Sequence, residues 1–110
     1  MIWDSWVIDE GATEPRPARD MDDALAYYMR RQADPWGSGW WVAKFVGDGV
    51  EVSTVFLGRD HSFPGQPGPI LYETLVFGGE HVLKMERYAT REQALEGHER
   101  MVALVTGKRS

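Results

Sequence analysis

Trp40-Trp41-Val42-Ala43-Lys44-Phe45-Val46-Gly47-Asp48-Gly49-Val50-Glu51-Val52-Ser53-Thr54-Val55-Phe56-Leu57-Gly58, residues 40–58, is the stretch on which the fold turns. On both sides of Gly47-Asp48-Gly49, bulky and β-branched residues recur with a period of two, the spacing that sends successive side chains to opposite faces of a strand. The Gly-Asp-Gly triplet is a tight hairpin signal, so strands are predicted over about 40–46 and 50–58. Two further runs, 70–77 and 82–89, share this character and meet at Gly78-Gly79-Glu80. Residues 59–69 hold Pro64, Pro67, Pro69, Gly65 and Gly68 and form a longer loop. The four runs read as an antiparallel meander over 40–89.

Beyond the meander, Thr90 with Gln93 three residues on makes a capping box. Ala94, Leu95, His98, Met101, Val102 and Val105 then recur on one helical face until Thr106-Gly107, predicting a helix over 90–105. Upstream, Asp34-Pro35-Trp36-Gly37-Ser38-Gly39 interrupts regular structure. Before it, Asp20 can cap a helix over 20–32, with Asp22 and Asp23 in the positive first turn and Arg30 and Arg31 in the negative last turn. Met21, Leu25, Tyr28 and Met29 share one face of that helix. Residues 1–19 combine Ile2, Trp3, Trp6, Val7 and Ile8 with Gly11, Pro15 and Pro17, and read as a partly extended N-terminal arm followed by a linker. The expectation is a single α+β domain over 1–110: a four-stranded meander with the C-terminal helix packed on one face, and an N-terminal helix.

Three-residue loops at both short hairpins set a register in which Trp41, Ala43, Phe45, Val55, Leu57, Leu71, Leu75, Phe77, Leu83 and Met85 share one side, forming an apolar floor for the C-terminal helix. The alternative register mixes Lys84 and Glu86 into that floor. The preferred register also sets Glu73 opposite Arg87 as a charge pair inside the apolar face, so that Arg87→Ala is expected to destabilise more than Arg30→Ala. Val42, Val46, Val50, Val52, Phe56, Ile70, Tyr72 and Val76 then fall on the opposite face, to be covered by the N-terminal helix or by a second copy in a homodimer.

A chain of 110 residues supports one hydrophobic core. No run approaches the roughly 18 apolar residues that span a bilayer, and Met1-Ile2-Trp3-Asp4 lacks a signal-peptide pattern, so a cytoplasmic protein without membrane partners is expected. The absence of cysteine excludes disulfides, thiolate zinc sites and cysteine nucleophiles. A net charge of -5, with no basic block longer than Arg30-Arg31, argues against nucleic acid.

Three constellations carry chemistry. Asp60-His61 opens the long loop and would need a third group, such as Glu73, His81, His98 or Glu99, to act as a metal or acid/base site. The plain alternative is an Asx turn at Asp60. His98 lies on the apolar stripe of the last helix and is expected inside as a neutral core histidine bonded to a strand residue such as Tyr88 or Glu73. Trp36 and Trp40 beside the Gly-Ser-Gly turn, with Phe56 and Tyr72, are partner-binding candidates. Neither a phosphate-cradling glycine motif nor a nucleophile elbow is present, and no cofactor is implied.

Val52-Ser53-Thr54-Val55-Phe56-Leu57-Gly58-Arg59-Asp60-His61-Ser62-Phe63, followed by Pro69, Leu71, Glu73-Thr74-Leu75-Val76-Phe77-Gly78-Gly79, Arg87-Tyr88-Ala89-Thr90 and Gly97-His98-Glu99, resembles a family of small accessory proteins of bacteriophages and prophages. The resemblance covers residues 50–102. It implies a setting, the cytoplasm of an infected or lysogenic bacterium, and brings no activity with it. Arg59 stands where the pattern often has an apolar residue. The favoured expectation is a non-enzymatic protein that binds a host or phage protein. The alternatives are a small metal-dependent hydrolase using Asp60, His61 and His98 with Glu73, and a minor structural virion component.

Overall fold

The computed structural model describes residues 5–107. Its elements are β1 (Trp6–Ile8), β2 (Pro15–Pro17), α1 (Met21–Ala33), β3 (Trp41–Gly47), β4 (Val50–Phe56), β5 (Tyr72–Phe77), β6 (Met85–Tyr88) and α2 (Arg91–Thr106). The strands β3-β4-β5-β6 form one antiparallel sheet in chain order, and α2 packs against it. The expected α+β meander with two helices is therefore what the chain adopts. No helix among the described residues is long and apolar enough to cross a membrane.

Local chemistry explains both helices. Asp20 accepts the backbone N–H of Asp23 at 2.9 Å at the start of α1. Thr90 and Gln93 close a reciprocal capping box, and Gly107, at φ 72, ends α2 in the left-handed conformation that glycine adopts without a Cβ penalty.

The sheet face beneath α2 is the reverse of the one expected. Asp48 (φ 53) and Gly49 (φ 75) make a two-residue hairpin turn with both φ positive, so Gly47 pairs with Val50 and Phe45 with Val52. A bulge leaves Val42 unpaired and returns Trp41 to pair with Val55. Phe45 thus joins the even-numbered side chains of β4, where Val52, Val76 and Met101 bury one another with Val50, Val102 and Val105 around them. Ala94 of α2 meets Phe56, Tyr72 and Tyr88 in a second cluster, which Val7, Ile8 and Tyr27 complete from the N-terminal side. The odd-numbered face carries half-buried Val55 and Leu75 and exposed Met85 and Phe77, and α2 does not cover it. Leu71, one residue before β5, is buried in the main cluster, and Leu83 is exposed in the preceding turn.

The Glu73–Arg87 pair forms as expected, directly across β5 and β6, with Arg87 Nε donating to Glu73 Oε2 at 3.0 Å. It lies on the open face with the Arg87 side chain 36% exposed, so it is a surface pair rather than a buried one. Residues 15–17, expected as linker, are a strand instead. Trp6 pairs with Pro17, Val7 with Arg16 and Ile8 with Pro15, a two-stranded ribbon whose proline-bearing strand is an edge. Arg16 locks this ribbon to α1, bonding Asp9 through Nε and Nη2 at 2.9 and 2.8 Å and Asp23 through Nη1 at 2.7 Å. These contacts hold both carboxyls below the usual carboxylate range. The ribbon joins the main sheet where Trp6 N–H donates to the Gly58 carbonyl at 2.9 Å.

Candidate functional site

Helix α1 makes an unusual choice of which side chains to bury. Tyr27 alone is fully buried, edge-on to Phe56 at 5.8 Å, and its hydroxyl donates to the Ser38 carbonyl at 3.1 Å. Burial pushes that phenol up to about 12. The apolar stripe of the same helix points outward: Met21 is 60% exposed, Leu25 54%, and Tyr28 and Met29 are exposed as well. A helical face of this kind is ordinarily the face that is covered.

The stripe borders a groove of about 430 Å³. Met21, Ala24, Leu25 and Tyr28 form its helical wall, Trp6 and Trp40 the facing aromatic wall, and Leu57 and Gly58 the floor. Gly58 has φ 74, and a Cβ there would meet the Trp40 ring at 3.5 Å and the Arg31 guanidinium at 3.8 Å, so a side chain at this position would narrow the groove. Arg31 and Arg59 line it, and among the described residues no acidic side chain does. The Arg31 guanidinium lies 3.6 Å from the Trp40 ring centroid and 4.8 Å from that of Tyr28. The volume and aromatic lining fall within the range of ligand and peptide sites.

The four catalytic and metal candidates do not converge. Asp60 Oδ1 accepts the backbone N–H groups of Ser62 at 2.9 Å and Ile70 at 3.0 Å, and these bonds hold its carboxyl below the usual range. It shapes the long loop as the Asx-turn alternative anticipates. His61 donates its backbone N–H to the Ile70 carbonyl. Glu73 faces Arg87 on the open side of the sheet, whereas His98 is buried on the covered side. Among the described residues no three His, Asp or Glu side chains are placed to share a metal ion.

His98 is a core histidine, bonded to Thr54 rather than directly to Tyr88 or Glu73. Its Nδ1 lies 2.8 Å from Thr54 Oγ1, which lies 2.6 Å from Thr74 Oγ1, in turn 3.1 Å from the Tyr88 hydroxyl. Tyr88 also reaches Glu86 Oε1 at 3.0 Å. A carboxylate only accepts, so Tyr88 donates to Glu86, Thr74 to Tyr88, Thr54 to Thr74 and His98 Nδ1–H to Thr54. Burial lowers the His98 pKa, keeping the ring neutral. The network fastens α2 to the sheet.

Of the partner-binding candidates, Phe56 and Tyr72 are fully buried and offer no surface. Trp36 is exposed and stacked on Trp41 at 5.9 Å. Trp40 lines the groove. Trp6, Tyr28 and Arg31 escape the sequence analysis as site residues. The signal that could have found them is the Met21-Leu25-Tyr28-Met29 stripe, had it been taken as an outward face. No family model, no curated protein and no solved structure matches the chain.

Proposed function

We propose that this is a small accessory protein that acts by binding another protein, with no catalysis, and that the recognition surface is the α1 stripe with the adjoining aromatic groove. The setting, a bacterium carrying a phage or prophage, is proposed from the resemblance over residues 50–102. The observation that carries the reading is the exposure of Met21, Leu25 and Tyr28 beside Trp6 and Trp40. An apolar face left open next to rigid aromatic anchors is the composition of a binding hot spot.

Affinity capture from phage-infected or lysogenic bacteria tests it, with wild type compared against Leu25→Asp and Met85→Asp. Both substitutions replace exposed side chains, one in the groove wall and one on the open sheet face. The expected result is a partner recovered by wild type and Met85→Asp and lost with Leu25→Asp. Identical recovery by all three would refute the assignment of this surface.

A further inference from the structure

We infer that the groove receives an acidic amphipathic segment of the partner protein, with apolar side chains laid along Met21, Leu25 and Trp40 and a carboxylate taken by Arg31. This rests on the groove being the recognition surface and names the chemistry it selects.

Charge comes first. The chain carries 17 acidic residues and a net charge of -5, yet among the described residues lining the groove the charged ones are Arg31 and Arg59, and Arg59 already has an interaction of its own. The guanidinium of Arg31, set among apolar and aromatic walls in an acidic protein, is a local positive centre that attracts the opposite charge. Nucleic acid, which would meet the whole negative field, is disfavoured.

Geometry narrows the choice to a carboxylate. Arg16, Arg87 and Arg100 are paired with carboxylates of their own chain. The side chain of Arg31 has no hydrogen bond or ion pair with a described residue, and its contacts are the Trp40 and Tyr28 rings. Rings against a guanidinium hold the fork and leave its in-plane N–H donors open, the arrangement that binds a carboxylate through two parallel bonds. Immobilisation by the rings lowers the ordering cost on binding.

Extent argues for a peptide segment. From Met21 to Met29 the exposed stripe runs eight helical steps, about 12 Å at about 1.5 Å each, beyond the reach of a single small acid in the groove. Apolar anchors at that spacing fit successive side chains of an amphipathic stretch.

The test is selection of displayed random twelve-residue peptides against the full chain, then anisotropy titration of the enriched peptides with wild type, Arg31→Gln, Arg31→Lys and Leu25→Asp. Enriched peptides are expected to carry Asp or Glu among apolar residues. Arg31→Gln should weaken them about tenfold or more and Arg31→Lys by less, since it keeps the charge and loses the fork, while Leu25→Asp removes binding. Affinity should fall as salt rises. Peptides without acidic residues that are indifferent to Arg31→Gln and lost with Leu25→Asp would overturn the carboxylate and leave the groove standing. Failure to enrich any peptide sensitive to Leu25→Asp would overturn both. A wild-type dimer in solution that Leu25→Asp converts to monomer would assign the stripe to a second copy instead and likewise overturn the inference.

Discussion

Replacing Gly97 by alanine should destabilise this protein, although the same change inside an exposed helix normally does the opposite. Gly97 sits within α2 and is buried against β6. A Cβ there would lie 2.1 Å from the Tyr88 hydroxyl and 2.3 Å from ring carbons Cε1 and Cζ. Tyr88 cannot swing aside freely, because it is buried and bonded to Thr74 and Glu86. Helix propensity alone would favour alanine by about 1 kcal/mol. Against that stand about 1–3 kcal/mol for forcing a group into a packed interior and about 0.5–1.5 kcal/mol for each hydrogen bond that Tyr88 loses. The net expectation is a loss of about 1–3 kcal/mol, a fall of several degrees or more in a domain of this size. Urea unfolding of wild type, Gly97→Ala and the exposed control Glu96→Ala measures it. An increase in stability for Gly97→Ala would refute the packing of α2 on Tyr88, and with it the choice of covered sheet face.

Other perturbations follow from the same contacts. The Tyr72 hydroxyl is buried without a hydrogen-bond partner among the described residues, and burial pushes it up to about 12. Tyr72→Phe should therefore leave the melting temperature unchanged or raise it, and a loss above about 1 kcal/mol would show a bond that the geometry does not contain. Arg87→Ala should cost less than about 1 kcal/mol because its pair with Glu73 is half exposed, and less than Arg30→Ala, which removes a bond to the partly buried Ile8 carbonyl. Denaturation of the two variants side by side checks this order, the reverse of the one expected from sequence. His98 is held neutral, with its folded pKa below the ordinary 6.5. Its contribution is present above pH 6.5 and is lost as pH falls through 6.5 toward the folded value. The stability difference between wild type and His98→Asn should accordingly shrink from pH 7.5 to 5.5, and a difference that stayed constant or grew would contradict the buried neutral ring.

Much of the architecture is legible in the residues because local chemistry dictates it. Asp20, Thr90, Gln93 and Gly107 mark helix ends through their own hydrogen bonds and φ, and the period-two runs with their glycine turns mark the meander. Which sheet face is covered is not local. It depends on one residue of loop length at Asp48-Gly49 and on the bulge at Val42, and Val55, Leu75 and Phe77 give the open face apolar residues of its own. Lys84 and Glu86 point the wrong way for a concrete reason. Lys84 is exposed and directly precedes β6, and the Glu86 carboxylate is accommodated at the sheet edge by Tyr88 and Arg100. Pro15 and Pro17 read as linker because proline disfavours strands, yet an edge strand pinned by Arg16 tolerates them. Of the site, Trp40 was visible from its neighbouring glycines. The α1 stripe was visible as a stripe, but its outward orientation is a tertiary fact: Tyr27 and Arg16–Asp23 turn the helix so that Leu25 faces solvent.

Limited peroxide oxidation followed by peptide mass spectrometry tests the arrangement most directly, since its methionines report on three surfaces at once. Met21 and Met29, at 60% and 62% exposure on α1, and Met85, at 48% on the open sheet face, should oxidise early, while Met101, 2% exposed on the sheet-facing side of α2, should resist. Early oxidation of Met101 with protection of Met85 would contradict the covered face, and protection of Met21 and Met29 in the unbound monomer would contradict the outward binding stripe.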